Sequence, residues 1–333
     1  MIAALVAFAA TATVGACSAS AAKHHPSGKT VMAKKFVRVA PAGSSPVLLE
    51  GGTFGPGGDF YFVNALAKAG TPKVLRLDVK TKKLEGIYTD DASAFTSTQF
   101  DPADGRLYVT DYDGGTIDSM KADGSDYRID FGGPVDGKKM TPDDIAFDPQ
   151  GDLFVTDATG TPWDRTGRVI RFNPSVKKPT VLMSDLAAPN GISFTPDGSK
   201  LWVSEYAGQR EDLLTLDPSG SEVAAASIGM RANVGLGGFD SNSVDAAGNV
   251  YQCVNELGEI LVWNERGVLQ KTIKIPQNLG KPELSATNLA IKPGTRDGFI
   301  VVGGAAGGFV YKFKALAKGI MPSNGGGVLP HGS

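Results

Sequence analysis

The chain repeats itself with an almost constant period, and this repeat constrains the fold more than any other feature. Six times, an apolar residue is followed within a few residues by a turn containing glycine. These apolar landmarks are 46, 47, 47, 50 and 47 residues apart. A period of about 40–50 residues is typical of repeat architectures such as β-propellers and solenoids. The landmarks are Phe54, Phe100, Phe147, Phe194, Val244 and Ile291.

A short strand pattern follows each turn. Residues 106–110 read Arg-Leu-Tyr-Val-Thr and residues 200–204 read Lys-Leu-Trp-Val-Ser, for example. A third strand follows in every unit, as at residues 168–172, and a weaker fourth completes it. Helical repeats of this length would need apolar residues at 3.6-residue spacing, and β-solenoid units are usually shorter. We therefore predict an all-β fold, a six-bladed β-propeller with four-stranded blades around a central channel.

The need to close the ring sets the domain boundaries. An open last blade would expose a strand edge, so a segment from the other end of the chain is expected to cover it. Residues 35–39, Lys-Phe-Val-Arg-Val, are the candidate to complete the blade that contains residues 309–311. We predict the propeller over residues 34–318, with a linker over residues 17–33 and a flexible tail over residues 319–333.

Residues 1–16 have the composition of a signal peptide. From residue 2 onward they are uncharged and apolar or small, a stretch too short for a stable membrane span. Residues 14–17, Val-Gly-Ala-Cys, resemble a lipobox, whose cysteine would be lipidated and become the mature N-terminus. The alternatives are cleavage at the small residues 19–21 with free secretion, and an uncleaved or misread N-terminus. We predict an exported protein, either a cell-envelope lipoprotein anchored at Cys17 or a secreted one.

The charge balance excludes several function classes. The chain has 33 Lys and Arg against 35 Asp and Glu, without a long run of either sign, so the basic footprint of a nucleic-acid binder is missing. Membrane association is expected only through a lipid anchor at Cys17. His24, His25 and His331 lie outside the predicted folded body, which excludes a His-based triad or zinc site from it.

At one position of the repeat, the side chain contains an oxygen atom in all six units. The innermost strand of every propeller blade lines the channel, so equivalent positions converge on the axis. Three carboxylates brought together would raise one another's pKa unless a cation neutralises them. The alternative is a wet channel lined by solvated polar side chains. The residues four positions before each landmark are Glu50, Thr96, Asp143, Asn190, Asp240 and Thr287.

The pattern therefore predicts a divalent cation held by Glu50, Asp143, Asn190 and Asp240. Oxygen donors without His or Cys favour a hard ion, so Ca²⁺ is expected before Mg²⁺ or Mn²⁺. Zn²⁺ is a further possible substitute. Glu205 and Asn255 lie at the ends of strands, where each is expected either at the channel mouth or as a solvated loop residue.

The motifs around these residues resemble those of the gluconolactonase and regucalcin family, which also resembles diisopropylfluorophosphatase. The resemblance covers about residues 46–318 and implies that Glu50, Asn190 and Asp240 are metal ligands. Singly each motif is weak, but their order and blade spacing together are specific. The matching motifs are Leu49-Glu50-Gly51, Pro142-Asp143-Asp144, Pro189-Asn190-Gly191 and Phe239-Asp240-Ser241.

The second motif departs from the gluconolactonases. Those enzymes have Asn at the position of Asp143 and, at the position of Thr141, an Arg that binds the sugar acid. The chain is more similar to the drug-responsive bacterial lactonases, which are calcium-dependent. In these the Ser after the last Asp lies near the ion, so the resemblance adds Ser241 to the predicted metal ligands.

The resemblance implies a calcium-dependent hydrolase that opens a lactone ring. Asp240 is then the expected general base and acid, with Asp143 as the alternative proton acceptor. Thr96, Thr287 and Glu205 are the predicted substrate contacts. The expected substrate is a small-molecule lactone or ester, and the protein is expected to be a monomer. The alternatives are a non-catalytic propeller that binds a partner and keeps a structural ion, and organophosphate hydrolysis as a side activity.

Overall fold

In the computed structural model the chain is described over residues 28–43, 46–173, 178–277 and 284–321. Within these ranges the fold is all-β, and 25 strands form six sheets. No helix in these ranges is long and apolar enough to cross a bilayer. The predicted signal peptide and Cys17 lie outside the described residues. The predicted six-bladed propeller is confirmed.

The strands follow one another blade by blade along the chain. An N-terminal segment forms β1 (Lys29–Met32) and β2 (Lys34–Ala40). Blade 1 contains β3 (Leu49–Phe54), β4 (Phe60–Asn64), β5 (Pro72–Leu77) and β6 (Leu84–Thr89). Blade 2 contains β7 (Phe95–Phe100), β8 (Leu107–Asp111), β9 (Thr116–Met120) and β10 (Arg128–Phe131). Blade 3 contains β11 (Pro142–Phe147), β12 (Leu153–Asp157), β13 (Gly167–Phe172) and β14 (Pro179–Leu186).

The second half of the ring repeats this order. Blade 4 contains β15 (Pro189–Phe194), β16 (Lys200–Glu205), β17 (Arg210–Leu216) and β18 (Val223–Arg231). Blade 5 contains β19 (Phe239–Val244), β20 (Val250–Val254), β21 (Glu259–Trp263) and β22 (Leu269–Lys274). Blade 6 contains β23 (Ser285–Ile291), β24 (Asp297–Gly303) and β25 (Gly308–Lys314). Neighbouring strands of each blade pair antiparallel, and the first strand of each blade contacts the first strand of the next.

The apolar landmarks join neighbouring blades. Each one is the last residue of an innermost strand and is at most 4% exposed. An aromatic residue in the second strand of the preceding blade packs against it edge-on in four of the six blades. The ring centroids are 5.0–5.3 Å apart, a geometry that adds about 0.5–1.5 kcal/mol per pair beyond burial. The pairs are Tyr61–Phe100, Tyr108–Phe147, Phe154–Phe194 and Phe299–Phe54.

Both ends of the described chain extend the predicted boundaries. The pairing of β2 with β25, with Lys35 opposite Tyr311, confirms the predicted closure of blade 6. However, β1 also pairs with β22, so residues 29–32 of the predicted linker belong to the fold as a fifth strand of blade 5. This strand covers the backbone edge that β22 would otherwise expose. At the other end, Gly319 bridges to Asp245 and Pro293, so the fold continues one residue into the predicted tail.

Asp245 fastens the C-terminal segment to blade 5. Its carboxylate is fully buried and accepts hydrogen bonds from the side chains of Asn249 (2.9 Å) and Tyr251 (2.8 Å) and from the backbone N–H of Ala317 (2.9 Å). Asp148 occupies the same turn position in blade 3. Its carboxylate accepts two backbone N–H groups of its own turn, as that of Asp245 also does, but has no contact equivalent to those with Tyr251 and Ala317 among its hydrogen bonds within the described residues.

Asp245→Ala should therefore destabilise the protein much more than Asp148→Ala. Truncating Asp245 leaves several buried donors without an acceptor, and each such group costs about 1–3 kcal/mol. We expect a loss of about 3 kcal/mol or more for Asp245→Ala and about 1 kcal/mol for Asp148→Ala, measured by urea denaturation. Equal losses would show that the contacts to Tyr251 and Ala317 add nothing to those of the turn.

Candidate functional site

Every innermost strand is irregular near its first residues. In each blade its pairing with the second strand shifts register there, as at a β-bulge. A bulge interrupts the strict alternation of side chains along a strand and re-aims neighbouring residues. In blade 3 the shift lies between Pro142 and Ile145, so the consecutive residues Asp143 and Asp144 both reach the channel cluster described below. The site therefore lies at the irregular end of the inner strands.

Two glycines let neighbouring inner strands approach closely at this end. Gly51 has a φ of 61°, and a Cβ on it would lie 2.6 Å from the Cα of Ser97 in blade 2. A Cβ on Gly191 would lie 2.5 Å from the backbone nitrogen of Asn242 in blade 5. Both contacts are too close for any side chain. This explains why glycine follows Glu50 and Asn190 in the sequence motifs.

Hydroxyl groups hold the backbone of the site residues. In blades 2, 3 and 4, a Ser or Thr near the end of the second strand donates a hydrogen bond to a carbonyl of the next blade's inner strand. The accepting carbonyl belongs in each case to a predicted metal ligand. These bonds join Thr110 to Asp143, Thr156 to Asn190 and Ser204 to Asp240, at 2.5, 2.5 and 2.7 Å.

Four carboxyl groups lie within electrostatic range of one another at this end of the channel. Burial raises the pKa of Glu50 well above its usual range, and the carboxylates of Asp240, Asp143 and Asp144 raise it further. Burial and then Asp143 raise the pKa of Asp240 in the same way. Burial and the neighbouring Asp144 raise the pKa of Asp143 to about 7. Such a cluster is unfavourable as four negative charges, and a cation would relieve it.

Amide groups contact two of these carboxylates. Asn190 Nδ2 donates to Asp143 Oδ2 at 2.6 Å, and Asn255 Nδ2 donates to Asp240 Oδ2 at 2.7 Å. The backbone N–H of Ser241 donates to Asp240 Oδ1 at 3.1 Å. Asn190 Oδ1 is buried and has no hydrogen-bond partner among the described residues. A buried amide oxygen normally has a partner, and a cation would supply one.

The donor set fits a hard divalent cation. It consists of carboxylate and amide oxygens, which Ca²⁺ and Mg²⁺ prefer, and it carries excess negative charge. Over the described ranges, no three Asp, Glu, His or Cys side chains already have the spacing of a coordination shell. Binding would therefore require the carboxylate side chains to move closer together around the ion.

Most of the predicted site residues meet here. Glu50, Asp143, Asn190 and Asp240 belong to the cluster, and Ser241 is 2% exposed beside it. The hydroxyl of Ser241, with that of Ser97, lowers the pKa of Asp144, although burial dominates and raises this pKa to about 6. The structure therefore brings together all five residues predicted as ligands.

Thr96 and Thr287, predicted as substrate contacts, form hydrogen bonds that support the cluster. Thr96 Oγ1 donates to the carbonyl of Asp143 at 3.2 Å. Thr287 is fully buried, donates to the carbonyl of Leu49, and its hydroxyl lowers the pKa of Glu50. Each threonine therefore orients a neighbouring strand and its carboxylate.

Glu205 does not line the channel. It is fully buried, where it accepts hydrogen bonds from Arg165 (2.9 Å), Arg210 (2.7 Å) and the backbone N–H of Ala187 (2.6 Å). In blades 2 and 3 the acidic residue that ends the second strand also accepts a backbone N–H hydrogen bond. Asp111 accepts it from Ala94, and Asp157 accepts it from Thr141. In blades 2, 3 and 4 this position therefore fastens the loop before the inner strand of its own blade.

Two further cluster members, Asp144 and Asn255, were predicted neither as ligands nor as substrate contacts. Asp144 follows Asp143, and simple alternation along a strand would turn it away from the channel. Only the bulge in β11 brings both to one side. Asn255 lies beyond the end of β20, where the sequence pattern does not fix the direction of a side chain. Its equivalent position in blade 4 is occupied by Tyr206, so the repeat carries no signal for it.

Comparisons with known proteins agree with this geometry. Residues 50–282 match the model of the SMP-30/gluconolactonase/LRE-like region, and the first matched residue is Glu50. The chain is 31% identical to lactonase drp35 of Staphylococcus saprophyticus over 231 residues, which cover 65% of this chain and 68% of that protein. It is 27% identical to lactonase drp35 of Staphylococcus haemolyticus over 311 residues, covering 87% and 90% of the two chains.

A solved structure shares the fold at low sequence identity. The crystal structure of a calcium-binding protein, regucalcin from Agrobacterium tumefaciens, superposes with a TM-score of 0.68 and 15% identity. The superposition covers 88% of this chain and 98% of that one. The region that matches the family spans five of the six inner strands and all five predicted ligands. The chain belongs to the SMP-30/gluconolactonase/LRE-like family.

Proposed function

We propose that this protein is a divalent-cation-dependent hydrolase that opens a lactone ring, with Ca²⁺ as the expected ion. The observation that carries the proposal is the buried cluster of carboxylates around Asn190, whose Oδ1 lacks a partner among the described residues. The staphylococcal relatives, which are lactonases by name, support a lactone substrate, and the calcium-binding regucalcin supports Ca²⁺ as the ion.

The ligands would divide into two groups. Glu50 and Asn190 offer oxygens that face the cluster and would mainly hold the ion, as would Ser241. Asp143 and Asp240 would bind it and also face the substrate. A bound divalent cation would act as a Lewis acid that polarises the lactone carbonyl.

Asp240 is the proposed proton-transfer group. Its carboxylate would accept a proton from water as the water oxygen attacks the carbonyl carbon. It would then return that proton to the ring oxygen as the C–O bond breaks, so that a hydroxy acid leaves. The hydrogen bonds from Asn255 and from the Ser241 backbone N–H fix its orientation. Asp143 is the alternative acceptor.

We also propose export, with Cys17 as the lipidated residue. The support is the lipobox-like pattern at residues 14–17. Cys17→Ser should then make the protein extractable from the membranes of expressing cells by high salt, whereas the wild type should stay bound, and labelled fatty acid should be incorporated only into the wild type. Labelling of both proteins would contradict the assignment.

Chelation and Glu50→Gln should have opposite effects on stability. Ca²⁺ at a hundredfold excess over its Kd should stabilise the wild type by about 2.7 kcal/mol, and a chelator should remove this gain. In chelator, Glu50→Gln should be more stable than the wild type because it relieves repulsion with Asp240 and Asp143. With Ca²⁺ the variant should gain less. Melting temperatures of both proteins check this, with Glu265→Gln as the exposed control that follows the wild type.

Asp240→Asn should separate proton transfer from metal binding. If Asp240 moves the proton, its amide cannot replace it at any Ca²⁺ concentration, and lactonase activity should remain reduced by about 10²-fold or more. Glu50→Gln should instead regain activity as Ca²⁺ is raised. Initial rates on aromatic, aliphatic and homoserine lactones across a Ca²⁺ titration are the measurement. Full rescue of Asp240→Asn would transfer the role to Asp143. A wild type that hydrolyses none of these lactones would favour the binding-module alternative.

A further inference from the structure

Basic residues collect on the outer wall of blades 5 and 6. The four outermost strands of these blades, β1, β2, β22 and β25, contain no Asp or Glu. Their Lys and Arg residues, with Arg296 beside them, are called the basic wall below. The strands contribute Lys29, Lys34, Lys35, Arg38, Lys271, Lys274, Lys312 and Lys314. The near-zero charge of the whole chain, formally −2, hides this local excess.

Few acidic groups neutralise the wall. Lys314 pairs with Asp297 at 2.5 Å and Lys274 with Glu259 at 2.6 Å. The remaining members form no salt bridge within the described residues; they are Lys29, Lys34, Lys35, Arg38, Lys271, Arg296 and Lys312. Burial together with the neighbouring cations Arg296 and Lys29 lowers the pKa of Lys271, which shows how closely the charges are placed.

The pairing of the strands sets cations against one another. Lys34 lies opposite Lys312 in the β2–β25 ladder, and Lys29 lies opposite Lys271 in the β1–β22 ladder. Like charges at directly opposed positions destabilise a sheet. Cation–π contacts of Lys312 with the rings of Phe36 (5.0 Å) and Phe299 (4.8 Å) offset part of this cost. An anionic surface outside the protein would turn the repulsion into attraction.

The basic wall also has an apolar part. A groove of 620 Å³ runs between β1 and β2, and the side chains of Val31, Met32, Phe36 and Phe313 contribute to its lining. Lys34, Lys35, Lys312 and Lys314 line the same groove, together with Asp297, which is paired with Lys314. Met32 is 55% exposed. Cations around an exposed apolar side chain match a phospholipid surface, where phosphates lie above acyl chains, better than they match a polar polyanion.

The first residue that the structure describes, Gly28, lies beside this wall. Gly28 packs against β22, so that a Cβ on it would lie 2.9 Å from the Lys271 nitrogen. Ten residues separate Cys17 from Gly28, and such a segment spans at most about 35 Å. If Cys17 carries a lipid, as proposed above, the basic wall is the face that the anchor holds near the bilayer.

We infer that the basic wall is a docking surface for an anionic phospholipid bilayer. Each Lys or Arg near an anionic membrane strengthens binding about fivefold, so several unpaired cations suffice for measurable binding without an anchor. The wall consists of outermost strands, whereas the channel ligands lie on innermost strands. Docking through the wall therefore leaves the channel residues free of lipid contacts.

Vesicle binding of the full chain tests this inference. All proteins carry Cys17→Ser, so that a lipid anchor contributes nothing. The test variant is Lys29→Glu with Lys34→Glu, two exposed residues of the wall, and the control is Lys68→Glu with Lys138→Glu, which are exposed as well. Both change the net charge equally, but the control charges lie on loops of blades 1 and 2, where they form no salt bridge within the described ranges. Melting temperatures check that both variants fold.

The expected loss of vesicle affinity depends on where the substituted lysines lie as well as on the change in net charge. The parent protein should cosediment with phosphatidylcholine vesicles that contain phosphatidylglycerol, less with pure phosphatidylcholine, and less as salt is raised. The test variant should lose at least about 25-fold in affinity for the anionic vesicles, because two cations of about fivefold each are removed. The control should keep most of it.

Three outcomes would overturn the inference. The first is equal binding of the parent to anionic and neutral vesicles. The second is an equal loss in the two variants, which would reduce the effect to net charge. The third is binding of the parent to duplex DNA as tightly as to anionic vesicles at the same salt, which would make the wall a general polyanion site. None of these outcomes depends on lactonase activity.

Discussion

The contact between the second strand of one blade and the innermost strand of the next is the interaction on which the structure depends. At one end of this contact, aromatic residues such as Tyr108 pack on an apolar landmark such as Phe147. At the other end, a hydroxyl such as Thr156 Oγ1 holds a site carbonyl, here that of Asn190. The same strand pair therefore supplies apolar burial for the ring and orientation for the site. Because these contacts recur around the axis, ligands from separate blades are held in one place.

This convergence has an energetic cost, because it brings several carboxylates together in a buried place. Buried carboxylates raise one another's pKa, and burial alone is costly unless the charge is paired or bound to a metal. In the described chain the cluster is relieved only by amide, hydroxyl and backbone donors, and one amide oxygen stays without a partner. A fold selected for stability alone would place apolar residues here. The cluster therefore indicates chemistry, and the proposed ion would stabilise the fold and polarise a substrate through the same ligands.

The closure of the ring separates this site from the proposed docking surface. The N-terminal segment contributes β1 to blade 5 and β2 to blade 6, and so covers two outer edges with a Lys-rich sequence. Charged residues, especially Lys, are a common protection for exposed sheet edges. Edge protection alone does not explain why Lys34 faces Lys312 across the ladder, since the two repel. The proposed docking to an anionic bilayer would account for both features, and the described chain begins at Gly28 beside the same wall.

The sequence by itself determined the number of blades, the strand order, the closing segment and the ring of oxygen-bearing positions, because each follows from a period that repeats along the chain. The same period located Phe54 and its equivalents, which all end inner strands. It gave no information where the structure departs from it. The bulge in β11 brings Asp144 beside Asp143, and Asn255 reaches Asp240 from beyond the end of a strand. Glu205 forms ion pairs with Arg165 and Arg210, and the cations of four separate strands lie on one wall. Each of these arrangements depends on a bulge, a loop or a contact between strands, so only the tertiary structure decides them.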